Sequence, residues 1–186
     1  MLIHLIRHTT PAIEKGICYG QSDLNLADSF SEEREIVLAK LNANYDALYS
    51  SPLRRCARLA EFIQAEQRFS DRRLMEYNFG DWELKPWNSF KSENQQRWMN
   101  DFVEHSAPNG DSLESMRKRV MEFWFELEQS NFDKVAIVTH SGVQRLIHAY
   151  ILDTPINKIF RLQLEFGAIL EVESKIEPKL LTVRHL

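Results

Sequence analysis

Two adjacent residues near the start of the chain, Arg7 and His8, have side chains that favour anions, and no acidic residue stands beside them. They end a mostly apolar segment, residues 2–7, whose composition predicts a buried strand. One interpretation is that the pair is the solvated end of that strand. The other is a phosphate site, because arginine binds phosphate oxygens through paired hydrogen bonds.

Two later segments place the same residue types where predicted strands end. The sequence SSPLRRCARLA follows a short predicted strand at 47–49 and carries Arg54 and Arg55 in the first turn of a predicted helix. The sequence IVTHSG ends a buried-type strand, 135–138, at His140, and another helix is predicted directly after it. Ligands of open parallel sheets bind at the carboxyl ends of the strands, so we expect these residues to meet above one edge.

Each of these residues also has a plain structural interpretation. A strand-end arginine is usually solvated, and a histidine is more often a structural residue than a catalyst. Burying several cations without a ligand would be costly, however, and a bound phosphate removes that cost. Two predicted helix N-termini at the same edge add further partial positive charge. The shared position at three strand ends therefore favours an anion site.

The elements that must position these residues alternate between strand and helix. Each predicted helix has a start signal or a helical spacing of apolar residues. The helices are predicted over 31–43, from Ser51 as N-cap and Pro52 as first helical residue, from a capping box at 111–114 to about residue 129, and from Gly142 onward.

The rest of the chain completes the expected fold. Residues 76–110 are irregular and aromatic, and the tail, 160–186, contains the β-like runs RLQLEF, AILEVE and LLTVRHL. Alternating strands and helices predict a parallel sheet with helices on both faces, while closely spaced strands at the end predict an antiparallel edge. The expected fold class is α/β, a three-layer α/β/α sandwich with a mostly parallel sheet and an antiparallel edge strand, formed by one domain over 1–186.

The composition limits the classes of function. With 186 residues, 44% hydrophobic and 27% charged, the chain is typical of a globular protein. The net charge of −4 gives no general attraction to nucleic acid or to anionic membranes, so neither is expected as a partner. No membrane-spanning run or signal-peptide pattern is present, and the expected location is the cytoplasm. Cys18 and Cys56 form no disulfide framework or CxxC metal pair and are interpreted as reduced, buried thiols.

Four segments, LIRHTTP, SSPLRRCARLA, LMEYNFGDWE and IVTHSG, resemble in order and spacing the histidine phosphatase family, also called the phosphoglycerate mutase-like family. The resemblance covers essentially the whole chain and implies a phosphoglycerate mutase-like fold. It also implies a role for each matched residue: His8 as the nucleophile, Arg7 and Arg55 as phosphate-binding residues, His140 as the second histidine, and Glu76 as the general acid.

The chain departs from the family pattern directly after the nucleophile. Thr9 stands where the family usually has glycine and is predicted as a phosphate-binding residue. Either its hydroxyl donates to the phosphate, or its Cβ narrows the approach to it. The asparagine usual in the following loop is not evident. Ser141 is predicted as a further phosphate-binding residue. Glu83 is the alternative to Glu76 as general acid.

The implied activity is phosphomonoester hydrolysis through a phosphohistidine intermediate, with no cofactor and no metal. A neutral imidazole is a competent nucleophile toward phosphorus, and the arginines with a protonated His140 would stabilise the transferring group. The acid would protonate the leaving oxygen and later take a proton from water. The arginines argue against an additional strong cation, and the scattered glycines form neither a P-loop nor a dinucleotide fingerprint.

The segments GICYGQSDLNL and EYNFGDWELKPW are most similar to the α-ribazole phosphatase branch. That branch removes the 5′-phosphate of α-ribazole phosphate during assembly of the lower nucleotide loop of cobalamin. The expected partner is therefore a small phosphate monoester. The aromatic stretch 77–102 is interpreted either as a wall that stacks on a flat base or as packing of this segment onto the sheet. The alternatives are a broad small-molecule phosphatase, a phosphoglycerate mutase-like enzyme, a metal-dependent hydrolase and a non-catalytic protein that binds phosphoryl ligands.

Overall fold

Six strands form one central sheet in the computed structural model, which describes residues 1–41, 44–90, 93–175 and 180–186. The strands are β1 (Leu2–Arg7), β2 (Tyr45–Ser50), β3 (Ala65–Ser70), β4 (Lys134–Thr139), β5 (Ile169–Lys175) and β6 (Leu180–His185). Across the sheet they follow the order β3-β2-β4-β1-β5-β6. The first four are parallel, β5 is antiparallel to β1, and β6 is antiparallel to β5. The predicted fold class is confirmed.

The described residues also form five α-helices: α1 (Phe30–Lys40), α2 (Arg54–Ala60), α3 (Glu93–Asn100), α4 (Leu113–Glu128) and α5 (Ser141–Ile151). Short 3₁₀ turns lie at Arg72–Leu74, Gly80–Trp82, Trp87–Ser89 and Ile156–Arg161.

Strand β4 shows how the three layers are held together. Successive side chains of a strand point to opposite faces of the sheet. Val135 and Ile137 pack in the core formed with α4 and α5, whereas Ala136 and Val138 pack in the core formed with α1 and α2. All four are fully buried, which explains why this segment is a continuous apolar run and not an alternating one.

The parallel register aligns the strand ends that carry the candidate residues. Arg7 at the end of β1 is opposite Thr139 at the end of β4, and Ser50 of β2 is opposite Val138. The ladder continues one residue further, because the amide of His8 donates to the Thr139 carbonyl at 3.0 Å. The residues that follow β1, β2 and β4 therefore emerge side by side at one edge of the sheet.

Helix α2 begins later than the sequence predicts. The expected N-cap, Ser51, is not the cap, since the helix starts at Arg54 and Leu53 occupies the N-cap position with an extended backbone. The Ser51 hydroxyl, which was expected to cap the helix, instead makes a tertiary contact and lies 2.9 Å from His140 Nε2.

Other predicted boundaries also change. RLQLEF is not a strand: its first residue ends the last 3₁₀ turn, and the carbonyls of Leu162 and Leu164 accept hydrogen bonds from arginine side chains. Residues 76–110 include α3, so the segment is not wholly irregular. Strand β3 was not predicted, because its side chains are mostly exposed and polar. The predicted helix 31–43 ends at Lys40, and its last residues, 42–43, lie outside the described residues.

The capping box of α4 uses a different partner from the one expected. Ser112 is the N-cap, and its Oγ accepts from the Ser115 amide at 3.1 Å, while Ser115 Oγ accepts from the Ser112 amide at 3.1 Å. Glu114, the partner in the sequence prediction, instead pairs with Arg117. A serine at the third helical position thus replaces the usual Glu or Gln of this motif.

Ser112→Ala is expected to lower the free energy of unfolding by about 1 kcal/mol, because it leaves a helix N-terminal amide without its acceptor. Glu114→Gln should cost less than about 0.5 kcal/mol, because it removes a partly exposed ion pair. Urea denaturation of the two variants measures both values. A larger loss in Glu114→Gln than in Ser112→Ala would contradict this assignment of the cap.

Candidate active site

The edge of the sheet brings two histidines and two arginines together. The rings of His8 and His140 are 5.0 Å apart between centroids, in an edge-to-face arrangement. Arg55, from the first turn of α2, places its Nε 3.3 Å from His8 Nε2. Arg7 lies beside His8 on the wall of a cavity. The structure therefore assembles the residues that the strand ends predicted would meet.

The ring of His8 is fixed in one tautomer. His8 Nδ1 is 2.7 Å from the Thr9 carbonyl, which can only accept, so Nδ1 carries the proton. His8 Nε2 then carries the lone pair of the ring, which accepts from the Arg55 Nε–H at 3.3 Å. Burial, with a further contribution from the Arg55 cation, holds the pKa of His8 well below its usual range. The imidazole is neutral near pH 7, which is the form that can act as a nucleophile.

Arg55 is fully buried, and a loop holds its guanidinium. One terminal nitrogen, Nη1, donates to the Ser22 carbonyl at 2.8 Å, and the other, Nη2, donates to the Gly20 carbonyl. With the contact to His8, these bonds use three of the five N–H groups of the side chain. Among the described residues, one hydrogen on each terminal nitrogen has no acceptor.

His140 lies behind His8 and is fully buried. Its Nε2 is 2.9 Å from Ser51 Oγ and 3.4 Å from Cys56 Sγ. Burial, His8 and Arg55 hold the pKa of His140 well below its usual range. Burial first, and then the neighbouring charges, thus favour a neutral His140 in the ligand-free protein, while the protonated His140 that the sequence analysis expects beside a transferring phosphoryl group stays a prediction. A bound phosphate dianion would raise this pKa.

Arg7 and Thr9 each contain a buried polar atom that lacks a partner within the described part of the chain, Arg7 Nε and Thr9 Oγ1. The Arg7 guanidinium donates to the Leu164 carbonyl and lies 4.0 Å from the centre of the Phe166 ring. Burial lowers the pKa of Arg7, which reflects the cost of holding this cation out of water. Buried polar groups are normally satisfied, so these two atoms suggest that a ligand completes the site.

Glu76 lies over the N-terminus of α5. Its carboxylate accepts from the amide of Gly142 at 3.1 Å, the hydroxyl of Ser141 at 3.4 Å and the amide of Tyr77 at 3.0 Å. A Cβ at position 142 would collide with this carboxylate, so any other residue there would displace the Glu76 side chain. The helix N-terminus that was expected to face phosphate therefore holds Glu76, and Ser141, a predicted phosphate-binding residue, contacts Glu76.

Glu83 is not on the cavity wall, whereas Glu76 is. Its carboxylate accepts from the backbone amides of Ser22 at 2.6 Å, Gln21 at 2.7 Å and Phe79 at 3.2 Å. Burial alone would raise the pKa of Glu83, but hydrogen bonds from Ser22, Gln21 and Phe79 outweigh it and lower the pKa. Of the two candidate acids, only Glu76 reaches the cavity.

The cavity has a volume of about 240 Å³ and joins a polar end to an aromatic wall. Arg7, His8 and Glu76 form the polar end. The wall consists of aromatic side chains from several segments: Tyr19, Tyr77, Phe79, Trp87, Trp98, Phe102 and Phe160. Such a site holds a small ligand with an anionic group at one end and an apolar or aromatic body at the other.

Residues 3–182 match the sequence profile described as "Histidine phosphatase superfamily (branch 1)". The chain belongs to the histidine phosphatase superfamily. The four sequence segments that carried this resemblance are those that supply the residues around His8, and the predicted family is confirmed.

Similar proteins include phosphatases with different names. The chain is 28% identical over 183 residues to "Putative phosphoserine phosphatase 2" of Hydrogenobacter thermophilus, covering 94% of this chain and 90% of that one. It is 26% identical over 196 residues to the adenosylcobalamin/alpha-ribazole phosphatase of Escherichia coli, covering 100% and 95%. The crystal structure of an alpha-ribazole phosphatase from Shigella flexneri superposes with a TM-score of 0.87 at 24% identity, over 100% of this chain and 96% of that one.

These findings identify a phosphatase that acts on a small phosphate ester. Within the part of the chain that the structure describes, no cluster of three or more His, Cys, Asp or Glu side chains could hold a metal ion. The same residues include no helix that is long and apolar enough to cross a membrane.

Tyr19 and Arg145 are among the residues of this histidine phosphatase site that were not predicted from the sequence. Tyr19 lines the cavity, its hydroxyl is hydrogen-bonded to the Arg7 side chain, and burial raises its pKa. Arg145 also lines the cavity, and its Nη1 donates to Ser141 Oγ at 3.3 Å. The four-residue spacing from Ser141 places Arg145 on the same face of α5 and was a usable signal. Tyr19 had no comparable signal, because its loop reaches the site through tertiary contacts.

The free energy of unfolding is expected to fall as the pH is lowered from about 7 to about 5. His8 and His140 resist protonation in the folded protein but take up protons below about pH 6.5 in the unfolded chain. Each therefore removes up to about 1.4 kcal/mol of stability per pH unit, until its lowered folded-state pKa is reached.

Urea denaturation across this pH range tests the expectation. His140→Gln should reduce the slope of stability against pH by up to about 1.4 kcal/mol per unit. Ser51→Ala is the matched control, because it removes a hydrogen bond of His140 but keeps the titrating ring, so its slope should match that of the wild type. An unchanged slope in His140→Gln would show that this histidine protonates equally in both states.

Proposed function

We propose that this histidine phosphatase hydrolyses α-ribazole 5′-phosphate through a phosphohistidine on His8. The observation that carries the proposal is the aromatic wall that begins beside His8 and Glu76. A ribose phosphate with a flat base has the shape that this cavity accommodates, with the phosphate at the polar end and the base against the rings. The reaction would belong to assembly of the lower nucleotide loop of cobalamin.

In the first step, His8 Nε2 attacks phosphorus and the bond from phosphorus to the ribose oxygen breaks. Glu76, in its protonated form, gives its proton to the departing oxygen. Arg55 Nε, 3.3 Å from the nucleophilic nitrogen, lies where a phosphate oxygen arrives. With Arg7 and a His140 protonated in the complex, it stabilises the charge on the transferring group.

In the second step, water attacks phosphorus and the P–N bond to His8 breaks. The Glu76 carboxylate left by the first step takes the proton of the attacking water, so the acid of one step becomes the base of the next. Phosphate leaves, and His8 returns to the tautomer held by the Thr9 carbonyl. Three hydrogen bonds fix the Glu76 carboxylate over α5 at the cavity wall, which positions it for proton transfer there.

Two rings of the wall keep enough free surface to receive a base. Trp87 and Phe160 remain 37% and 50% exposed, although both also pack against neighbouring rings. Ring pairs contribute about 0.5–1.5 kcal/mol beyond the area they bury. Packing and base stacking, the two interpretations of the aromatic stretch, are therefore compatible. The similarity to the Escherichia coli alpha-ribazole phosphatase supports the same substrate.

A second candidate substrate is phosphoserine. Arg145 places a guanidinium on the cavity wall, where it could pair with a carboxylate. The similarity to the Hydrogenobacter thermophilus protein favours the same choice. The two substrates make opposite demands on the wall, because one needs free aromatic surface and the other needs the cation.

Among phosphomonoesters, α-ribazole phosphate is expected to give the highest kcat/KM, above phosphoserine, 3-phosphoglycerate and p-nitrophenyl phosphate. Trp87→Ala should lower kcat/KM for α-ribazole phosphate about tenfold, as expected for one lost stacking contact, and should change that for phosphoserine little. Arg145→Gln is the matched variant and should change kcat/KM for α-ribazole phosphate little. Preference for phosphoserine that Arg145→Gln abolishes would establish the second candidate instead.

Glu76→Gln should lose about 10²–10⁴-fold in kcat/KM on the alkyl phosphate, whose leaving oxygen needs a proton. Phosphorylation by p-nitrophenyl phosphate should be affected far less, so a burst followed by slow turnover is expected. The accumulated adduct should be acid-labile and base-stable, and it should be absent in His8→Ala. Glu61→Gln, which changes an exposed carboxylate paired with Arg58, is the control. Equal losses on both substrates without a burst would exclude Glu76 as the acid.

A further inference from the structure

The loop at residues 19–22 contacts both the proposed phosphate-binding arginine, Arg55, and the proposed general acid, Glu76. Its carbonyls at Gly20 and Ser22 accept from the two terminal nitrogens of Arg55. Its Gln21 side chain donates through Nε2 to the Glu76 carbonyl at 3.0 Å. This loop therefore fixes the phosphate-binding arginine on one side and the backbone of the general acid on the other.

Glu83 holds this loop in place. Its Oε1 accepts from the amides of Gln21 at 2.7 Å and Phe79 at 3.2 Å, and its Oε2 accepts from the amide of Ser22 at 2.6 Å and from the Ser22 hydroxyl. The loop lies directly on the backbone of residues 77–79, because a Cβ at Gly20 would collide with the carbonyl of residue 77. The Glu83 carboxylate thus links the loop to the backbone of residues 77–79 at the place where these two segments lie closest together.

We propose that Glu83 is a positioning residue, whose carboxylate holds the loop so that the Gly20 and Ser22 carbonyls orient the Arg55 guanidinium toward phosphate. The inference rests on the phosphate-binding role proposed above for Arg55. Arg55 has no carboxylate among its hydrogen-bond acceptors in the described structure, so its orientation depends on neutral carbonyls and on whatever holds them. Glu83 acts on the anion site through those carbonyls and does not touch the ligand.

The chemistry of the contacts explains why a carboxylate is needed. All four groups that face Glu83 are donors, three backbone amides and one hydroxyl, and an ionised carboxylate is acceptor on both oxygens. In Glu83→Gln an amide N–H₂ faces at least one of these donors, which leaves a half-buried N–H without an acceptor. The loop should then loosen, and Arg55 should lose its fixed orientation.

A double-mutant cycle on phosphate affinity tests the proposal. Inorganic phosphate is titrated by calorimetry into the wild type, Glu83→Gln, Arg55→Lys and the double variant. Glu83→Gln is expected to weaken phosphate binding about tenfold. In the Arg55→Lys background the same change should alter affinity less than about twofold, because lysine lacks the fork that the loop carbonyls orient. The same tenfold loss in both backgrounds would overturn the proposal, as would an unchanged affinity in Glu83→Gln.

Kinetics give a second readout that separates Glu83 from the general acid. Glu83→Gln should lower kcat/KM equally on alkyl and aryl phosphates, whereas Glu76→Gln should lose selectively on alkyl phosphates. Glu61→Gln serves as the surface control. A loss confined to alkyl phosphates in Glu83→Gln would assign this residue to leaving-group protonation and overturn the positioning role.

Ser22→Ala provides a milder variant if Glu83→Gln does not fold. It removes one hydrogen bond to Glu83, so it should weaken phosphate binding about threefold, again only when Arg55 is present. The titration uses inorganic phosphate and no organic ester. A protein that does not hydrolyse α-ribazole phosphate would therefore refute the proposed substrate, and the double-mutant cycle on phosphate affinity would still test the role of Glu83. A wild-type protein without measurable phosphate affinity would overturn the role of Glu83 as well.

Discussion

The structure depends on a buried cation that has no carboxylate partner among the residues described above. Arg55 is fully buried, and its hydrogen bonds go to two carbonyls and to a histidine nitrogen. Removing such a charge from water costs several kcal/mol even after relaxation, and hydrogen bonds to neutral acceptors offset only part of this desolvation free energy. The surrounding groups adjust to this field: burial and Arg55 keep both His8 and His140 neutral. The protein thus holds, before any ligand arrives, an environment that a phosphate dianion neutralises.

The same constraint explains where the carboxylates lie. An acid beside Arg55 would form an ion pair and cancel the field that attracts phosphate. Glu76 is instead stabilised by the N-terminus of α5, and Glu83 by the amides of the loop. Both carboxylates are satisfied by backbone donors, and neither forms an ion pair with Arg55 in the described structure. Gly142 and Gly20 are needed because each lets a neighbouring group approach the backbone more closely than a side chain would allow.

The sequence predicted the parts of the protein that local patterns determine. The apolar runs of β1 and β4 are buried on both faces, so they have a clear signal, and their ends led to Arg7, His8 and His140. Strand β3 is polar and exposed and gave no such signal. The sequence pattern predicted Ser51 as a helix cap because it does not reveal the tertiary contact between the Ser51 hydroxyl and His140. For the same reason local pattern alone did not separate Glu76 from Glu83: the family resemblance favoured Glu76, and the fold places Glu76, not Glu83, on the cavity wall.

The two halves of the site have different origins in the fold. The proposed phosphate half comes from the ends of β1, β2 and β4, and its position follows from the register of the sheet. The wall comes largely from segments outside the sheet, α3 and the 3₁₀ turns around it, together with Phe160. Such segments tolerate substitution while a rigid scaffold holds the reacting groups. Relatives named for different substrates can therefore share one reaction. In this chain, the aromatic rings and the Arg145 guanidinium of the wall would determine whether the cavity favours a flat base or a carboxylate.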